Sequence, residues 1–130
     1  MKKVIHSLIT ICILSIASHS NATDVMQLFM KQIGGLMGEQ EVQMLTVEYA
    51  PGEASQPHRH SGHTFVYVAQ GTVVMQVEGG EELTLTVGQT FYENPQDIHT
   101  VSKNASSTES AKILVLFLRP KGAPPTLPVN

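Results

Sequence analysis

From Glu41 to Leu118 glycine and proline cut the chain into short runs, and along most of them apolar and polar side chains alternate. A period of two belongs to a strand buried on one face, and runs this short leave little room for a long helix. In Glu41–Tyr49 the residues Gln43, Leu45, Val47 and Tyr49 fall on one side, which is expected to face a core, and Ala50-Pro51-Gly52 ends the run. Thr72–Glu78 sets Val73, Met75 and Val77 against Thr72, Gln76 and Glu78. Gly79-Gly80 then reads as a hairpin turn into the alternating run Leu83–Val87. Ile113–Leu118 is apolar throughout, the pattern of a strand buried on both faces. The first segment, Asp24–Ile33, fits neither a period of two nor one of 3.6, so its pattern leaves strand and short helix both open. About eight short strands with little helix predict an all-β, single-domain barrel of two sheets.

The chemistry is concentrated in two of these stretches. In Gly52–Gly71, His58 and His60 lie two apart, so on a strand both imidazoles point the same way and can meet one metal ion. If that register holds through Ser61-Gly62, Thr64, Val66 and Val68 face inward as well, and Phe65 and Tyr67 face outward. In Gly88–Asn104 a short aromatic strand leads through Asn94-Pro95 to His99. His63 stands at odd spacing from His60. It is either an exposed loop histidine or, if Gly62 permits a bulge, a fourth ligand.

These stretches resemble the two motifs of the cupins, small double-sheet barrels of the jelly-roll type. The first motif runs Gly, five residues, His-x-His, three or four residues, Glu, six residues, Gly; Gly52, His58, His60 and Gly71 match it, and Thr64 occupies the Glu slot. The second runs Gly, five residues, Pro-x-Gly-x-x-His-x-x-x-Asn, and Gly88 and His99 match it. Asn94 stands at its Pro, Gln96 at its Gly, and Asn104 one residue past its Asn. The resemblance implies a cupin barrel over 23–130 and one divalent transition metal (Zn, Fe, Ni, Mn or Cu) held by His58, His60 and His99, with His63 as the further candidate.

Without the motif's Glu, three neutral imidazoles leave the charge of a divalent ion uncompensated, so the site is expected to favour a small anionic ligand and to keep open coordination positions. Thr64 is either a neighbour of the ion or simply a β-branched strand former. Glu93 is a carboxylate near the metal, a solvated strand end, or a partner of Arg59. Tyr92 orients a ligand or packs in the barrel, and Asp97 reads as a turn residue.

Met1–Ala22 has a basic start at Lys2-Lys3, an apolar run and small residues at Ser20-Asn21-Ala22, the plan of a secretory signal peptide. The run is short of the roughly 20 residues that span a bilayer, so no stable membrane anchor is expected and the protein is expected to be periplasmic or secreted. Cys12, the single cysteine, leaves with the leader, so the exported chain has no disulfide. A formal charge of −3, more acidic still without the leader's lysines, argues against nucleic acid as a partner. Outward aromatics and the two-sided Ile113–Leu118 strand are expected to be covered by the N-terminal segment or by a second copy in a homodimer. Two functions fit: a metal-dependent enzyme of dioxygenase, isomerase or lyase type acting on a small anionic or oxygen-rich molecule, and a non-catalytic module that binds or senses such a molecule.

Overall fold

The computed structural model describes residues 23–33 and 38–129. The leader expected at Met1–Ala22 and the Gly34-Gly35 turn lie outside the described residues. The chain forms β1 (Asp24–Ile33), β2 (Gln40–Tyr49), β3 (His58–His60), β4 (His63–Gln70), β5 (Thr72–Val77), β6 (Leu83–Thr86), β7 (Thr90–Glu93), β8 (Ile98–Asn104), β9 (Ala111–Pro120) and β10 (Thr126–Pro128), and among the described residues there is no helix. The strands make two five-stranded antiparallel sheets, in the orders β1-β2-β9-β4-β7 and β10-β3-β8-β5-β6. This is the double-sheet barrel that the alternation predicts.

Each alternating run buries one face. Leu45 and Tyr49 of β2, Val66 and Val68 of β4, Val73 and Met75 of β5, Leu85 of β6, and Ala111, Ile113, Val115 and Phe117 of β9 form one core. Phe65 and Tyr67 point outward and are exposed, as the register from His60 implies. Asp24–Ile33 is a strand paired along β2, and its poor periodicity has a local cause. Gln27 pairs with Leu45 but Phe29 with Met44, so the register shifts at a bulge and the alternation slips by one residue. Strand β1 lies at the edge of its sheet beside β2.

One expectation changes within the single chain: in Ile113–Leu118, Ile113, Val115 and Phe117 are buried, whereas Leu114, Leu116 and Leu118 on the outer side are half-buried. The strand is continuous in its apolarity because it runs between β2 and β4, where outward side chains are flanked on both sides. The inward face of β2 also continues past its apolar residues into buried Glu41 and Gln43. Their partner is buried Arg119, whose Nη1 lies 2.6 Å from Glu41 Oε1 and whose Nη2 donates to Gln43 Oε1 at 3.0 Å. A buried charge is tolerated when paired in this way, and removing either member would strand the other.

Two connections carry information for the site. The proline-stiffened tail lies along β3 as β10, pairing Thr126 with His60 and Pro128 with His58. Asn104, one residue past its motif slot, is buried and ties the 104–109 loop: its Nδ2 donates to Ala50 O at 3.0 Å and Glu109 O at 2.7 Å, and its Oδ1 accepts from Ser106 N.

Candidate metal centre

Strands β3 and β8 are neighbours, with His58 directly opposite His99. His60, two residues on, points to the same side as His58. The ring centroids of His58 lie 4.8 Å from those of His60 and 5.2 Å from those of His99, and one nitrogen from each of the three imidazoles lies within 4.8 Å of the others. His60 and His99 are buried and His58 is half-buried at the edge of the cluster.

The backbone fixes which nitrogen two of the rings present. His58 Nδ1 is 2.7 Å from Gln56 O, and His60 Nδ1 is 2.8 Å from Pro125 O. A carbonyl only accepts, so in each neutral ring Nδ1 carries the proton and Nε2 keeps its lone pair free. Metal-binding histidines are commonly oriented by such bonds. For His60 the acceptor comes from the C-terminal tail, which gives that segment a part in shaping the site.

Burial pushes the pKa of His60 below its ordinary 6.5, and this outweighs the upward pull of Glu93 and of the Pro125 carbonyl; His58 and His99 nearby lower it further. Below pH 6.5 an unfolded chain therefore takes up a proton that the folded His60 refuses, and stability falls until the depressed pKa is passed; above 6.5 this group adds no pH dependence. Metal-free protein is expected to melt at a lower temperature at about pH 5.5 than at about pH 7.5. Equal melting temperatures, or a rise in acid, would contradict this.

Glu93 is 1% exposed. It does not pair with Arg59 but faces the histidines, with Oε1 3.3 Å from His99 Nδ1 and Oε2 3.7 Å from His60 Nε2. Both carboxylate oxygens and both nitrogens of His99 are buried without a hydrogen-bond partner. Each such group normally costs on the order of 1–3 kcal/mol, more when charged, a cost that a cation bound among them would relieve. Three imidazoles and a carboxylate form a donor set that suits a divalent transition ion. The residues present therefore fit the metal that the motifs imply. The charge balance differs from the expectation based on Thr64, because a carboxylate does stand beside the imidazoles.

Thr64 is fully buried and faces inward, its Oγ1 donating to Gly62 O at 3.4 Å. His63 does not join the cluster. It is exposed on the outer face of β4, with Nδ1 2.6 Å from Tyr92 Oη and the two rings stacked. Strand alternation aims it away from Thr64, and no bulge at Gly62 reverses that. Tyr92 accordingly serves the outer surface, and its hydroxyl also donates to Asn94 Oδ1. Asp97 is the turn residue expected: Asp97 Oδ2 accepts from Asn94 N at 2.8 Å. Gln96, at the motif's Gly, adopts φ 71°, the left-handed conformation that glycine takes without strain, and its N–H donates to His60 O. Residue reasoning left the role of Glu93 open. The signal was the alternation of β7, in which Phe91 and Glu93 share the inward side once Tyr92 is known to face out.

The cluster forms part of the wall of a cavity of about 640 Å³. Leu45, Val47, Val66, Ile113, Val115 and Phe117 line it with apolar surface, and Glu93 is the one carboxylate among the described lining residues. A second polar group in the lining is a hydroxyl cluster in which Tyr49 Oη lies 2.8 Å from Ser102 Oγ and 3.0 Å from Ser55 Oγ. A mostly apolar enclosure of this size with a few converging polar groups is the form that small-molecule sites take.

Comparison with known proteins agrees with this architecture. Residues 45–117 match the family described as "Cupin domain". A cupin superfamily protein from Desulfitobacterium hafniense is similar at 20% identity over 80% of this chain and 84% of its own, with a TM-score of 0.58. An RmlC-like cupin family protein with a double-stranded β-helix fold, from Methanocaldococcus jannaschii, is similar at 13% identity over 90% of this chain and 94% of its own, TM-score 0.59. An oxalate oxidase in complex with the substrate analogue glycolate is similar at 22% identity over 85% of this chain and 56% of its own, TM-score 0.62. At these identities the likeness is one of fold. A search of curated proteins gives no match.

Proposed function

Because the chain belongs to the cupin domain family, we propose that it is a metal-dependent enzyme that holds one divalent transition metal through His58, His60 and His99 and acts on a small anionic or oxygen-rich molecule. The reaction class is one of those open to such a centre: a dioxygenase, isomerase or lyase chemistry. The observation that carries the reading is the meeting of three imidazoles and a buried, unpartnered carboxylate on the wall of a largely apolar cavity. A bound divalent ion supplies Lewis acidity and a fixed point for an anionic group. The chain's own residues do the rest. Gln56 and Pro125 carbonyls hold the His58 and His60 rings with Nε2 turned to the site. The Leu45, Val66, Val115 and Phe117 side chains exclude water around the body of a ligand, and the Tyr49–Ser55–Ser102 hydroxyls offer a second polar anchor.

Calorimetric titration with azide and with glycolate tests the reading. Zinc-loaded protein is expected to bind one anion per chain and metal-free protein none. Equal binding with and without zinc, or no binding to either, would overturn it. A screen of small hydroxy- and keto-acids then separates the two functional classes, since turnover marks an enzyme and anion binding without turnover marks a binding or sensing module.

A further inference from the structure

We infer that Glu93 is the fourth protein ligand of the metal centre, supplying from strand β7 the carboxylate that position 64 lacks; the inference rests on the metal-binding reading above. The topology makes the substitution possible. Thr64 of β4 and Glu93 of β7 are direct partners in the antiparallel ladder. Side chains of such partners stand on the same face with Cβ atoms roughly 4.5–5.5 Å apart, so a carboxylate from either position reaches the same region of the interior. The motif's Glu has in effect moved across one rung of the ladder.

The geometry of the carboxylate supports a shared ion. Ligand atoms bound at about 2.1 Å to one tetrahedral or octahedral ion lie roughly 3.0–3.4 Å apart. Glu93 Oε1 stands 3.3 Å from His99 Nδ1, within that spacing, and Oε2 stands 3.7 Å from His60 Nε2, somewhat beyond it. Among the described residues only the three histidines have ligand atoms that all lie within 4.8 Å of one another, so ligation by Glu93 requires its carboxylate to close on the group. Neither oxygen has a hydrogen-bond donor, and the side chain is 1% exposed. A carboxylate removed from water and left unpaired is strongly unfavourable, whereas a cation between it and the imidazoles gives the carboxylate and one nitrogen of His99 a partner. Ligation by Glu93 also lowers the residual charge of a divalent centre from +2 to +1, which still attracts an anion but less strongly than three imidazoles alone.

The rival role is that of a positioning residue that accepts a hydrogen bond from His99 Nδ1–H. Cobalt binding by competition with a chelator, together with the visible absorption of the cobalt-loaded protein, separates the two. Glu93→Gln keeps the shape of the side chain and is expected to lose more than about a hundredfold in cobalt affinity and to shift the cobalt bands, because a charged ligand is gone. The exchange Glu93→Thr with Thr64→Glu conserves total volume across the rung and is expected to recover most of the affinity that Glu93→Thr alone loses. Glu93→Gln within about a hundredfold of wild type, the loss expected of a mere positioning residue, or with unchanged cobalt bands, overturns the inference while leaving the three-histidine centre intact. Wild-type protein that takes up no cobalt would instead overturn the metal reading itself.

Discussion

Alanine at position 99 is expected to cost the protein two to three orders of magnitude in zinc affinity. His99 is 3% exposed, lies directly opposite His58 and is the only histidine that the second motif contributes. Its removal leaves two imidazoles on one short strand and takes away the nearest partner of Glu93. Structural zinc sites are bound by about 10–16 kcal/mol, so one ligand in four is worth about 2.5–4 kcal/mol, a factor of roughly sixty to seven hundred. Competition with a chelating dye measures it directly. His63→Ala is the control, because that imidazole is stacked on Tyr92 at the outer surface, and its loss is expected to leave affinity unchanged. An effect of His63→Ala equal to that of His99→Ala would contradict the assignment.

The second large effect is on folding. Gly62→Ala is expected to destabilise the barrel by more than about 3 kcal/mol, or to prevent folding. A Cβ at this position would lie 2.2 Å from Leu118 O, 2.5 Å from Arg119 Cβ and 2.6 Å from Arg119 Cα. These are backbone atoms, or a Cβ fixed to them, and strand β9 that carries them is paired on both sides, so it cannot give way cheaply. Any shift there also disturbs the buried Arg119–Glu41 pair and moves His60 and Thr64, which flank Gly62 on either side. A loss of this size corresponds to a fall in melting temperature of at least about 10 °C for a domain of roughly 100 residues. Calorimetry of Gly62→Ala showing a melting temperature within a few degrees of wild type would mean that the close approach of the Ser61-Gly62 bend to β9 is misplaced.

Much of the fold was legible because strand alternation is a local signal. The inward side of β2, the inward Thr64, Val66 and Val68, and the outward Phe65 and Tyr67 all follow from counting in twos once His58 and His60 are set on one face. Where the count failed, the cause was an irregularity that a single sequence does not announce. The bulge between Gln27 and Phe29 spoiled the period of β1, and the flanking of β9 by β2 and β4 made a strand that is one-sided within the single chain look two-sided. The site divides in the same way. His58 and His60 share a face by local geometry, but the approach of His99 to His58 and of Glu93 to Thr64 depends on which strands are neighbours. Spacing along the chain says nothing of that, so the motif located the histidines and left Glu93 unresolved. The tail's contribution through the Pro125 carbonyl was equally hidden, since no residue in Gly122–Pro128 carries an obvious chemical function.

X-ray absorption of the zinc-loaded protein, with zinc content measured on the same sample, tests the central claim most directly. One zinc per chain is expected, with a first shell of nitrogen and oxygen at about 2.0–2.2 Å and outer-shell scattering from three imidazoles. A zinc content near zero, or a shell containing one imidazole or none, would contradict the assignment of His58, His60 and His99 as the metal centre.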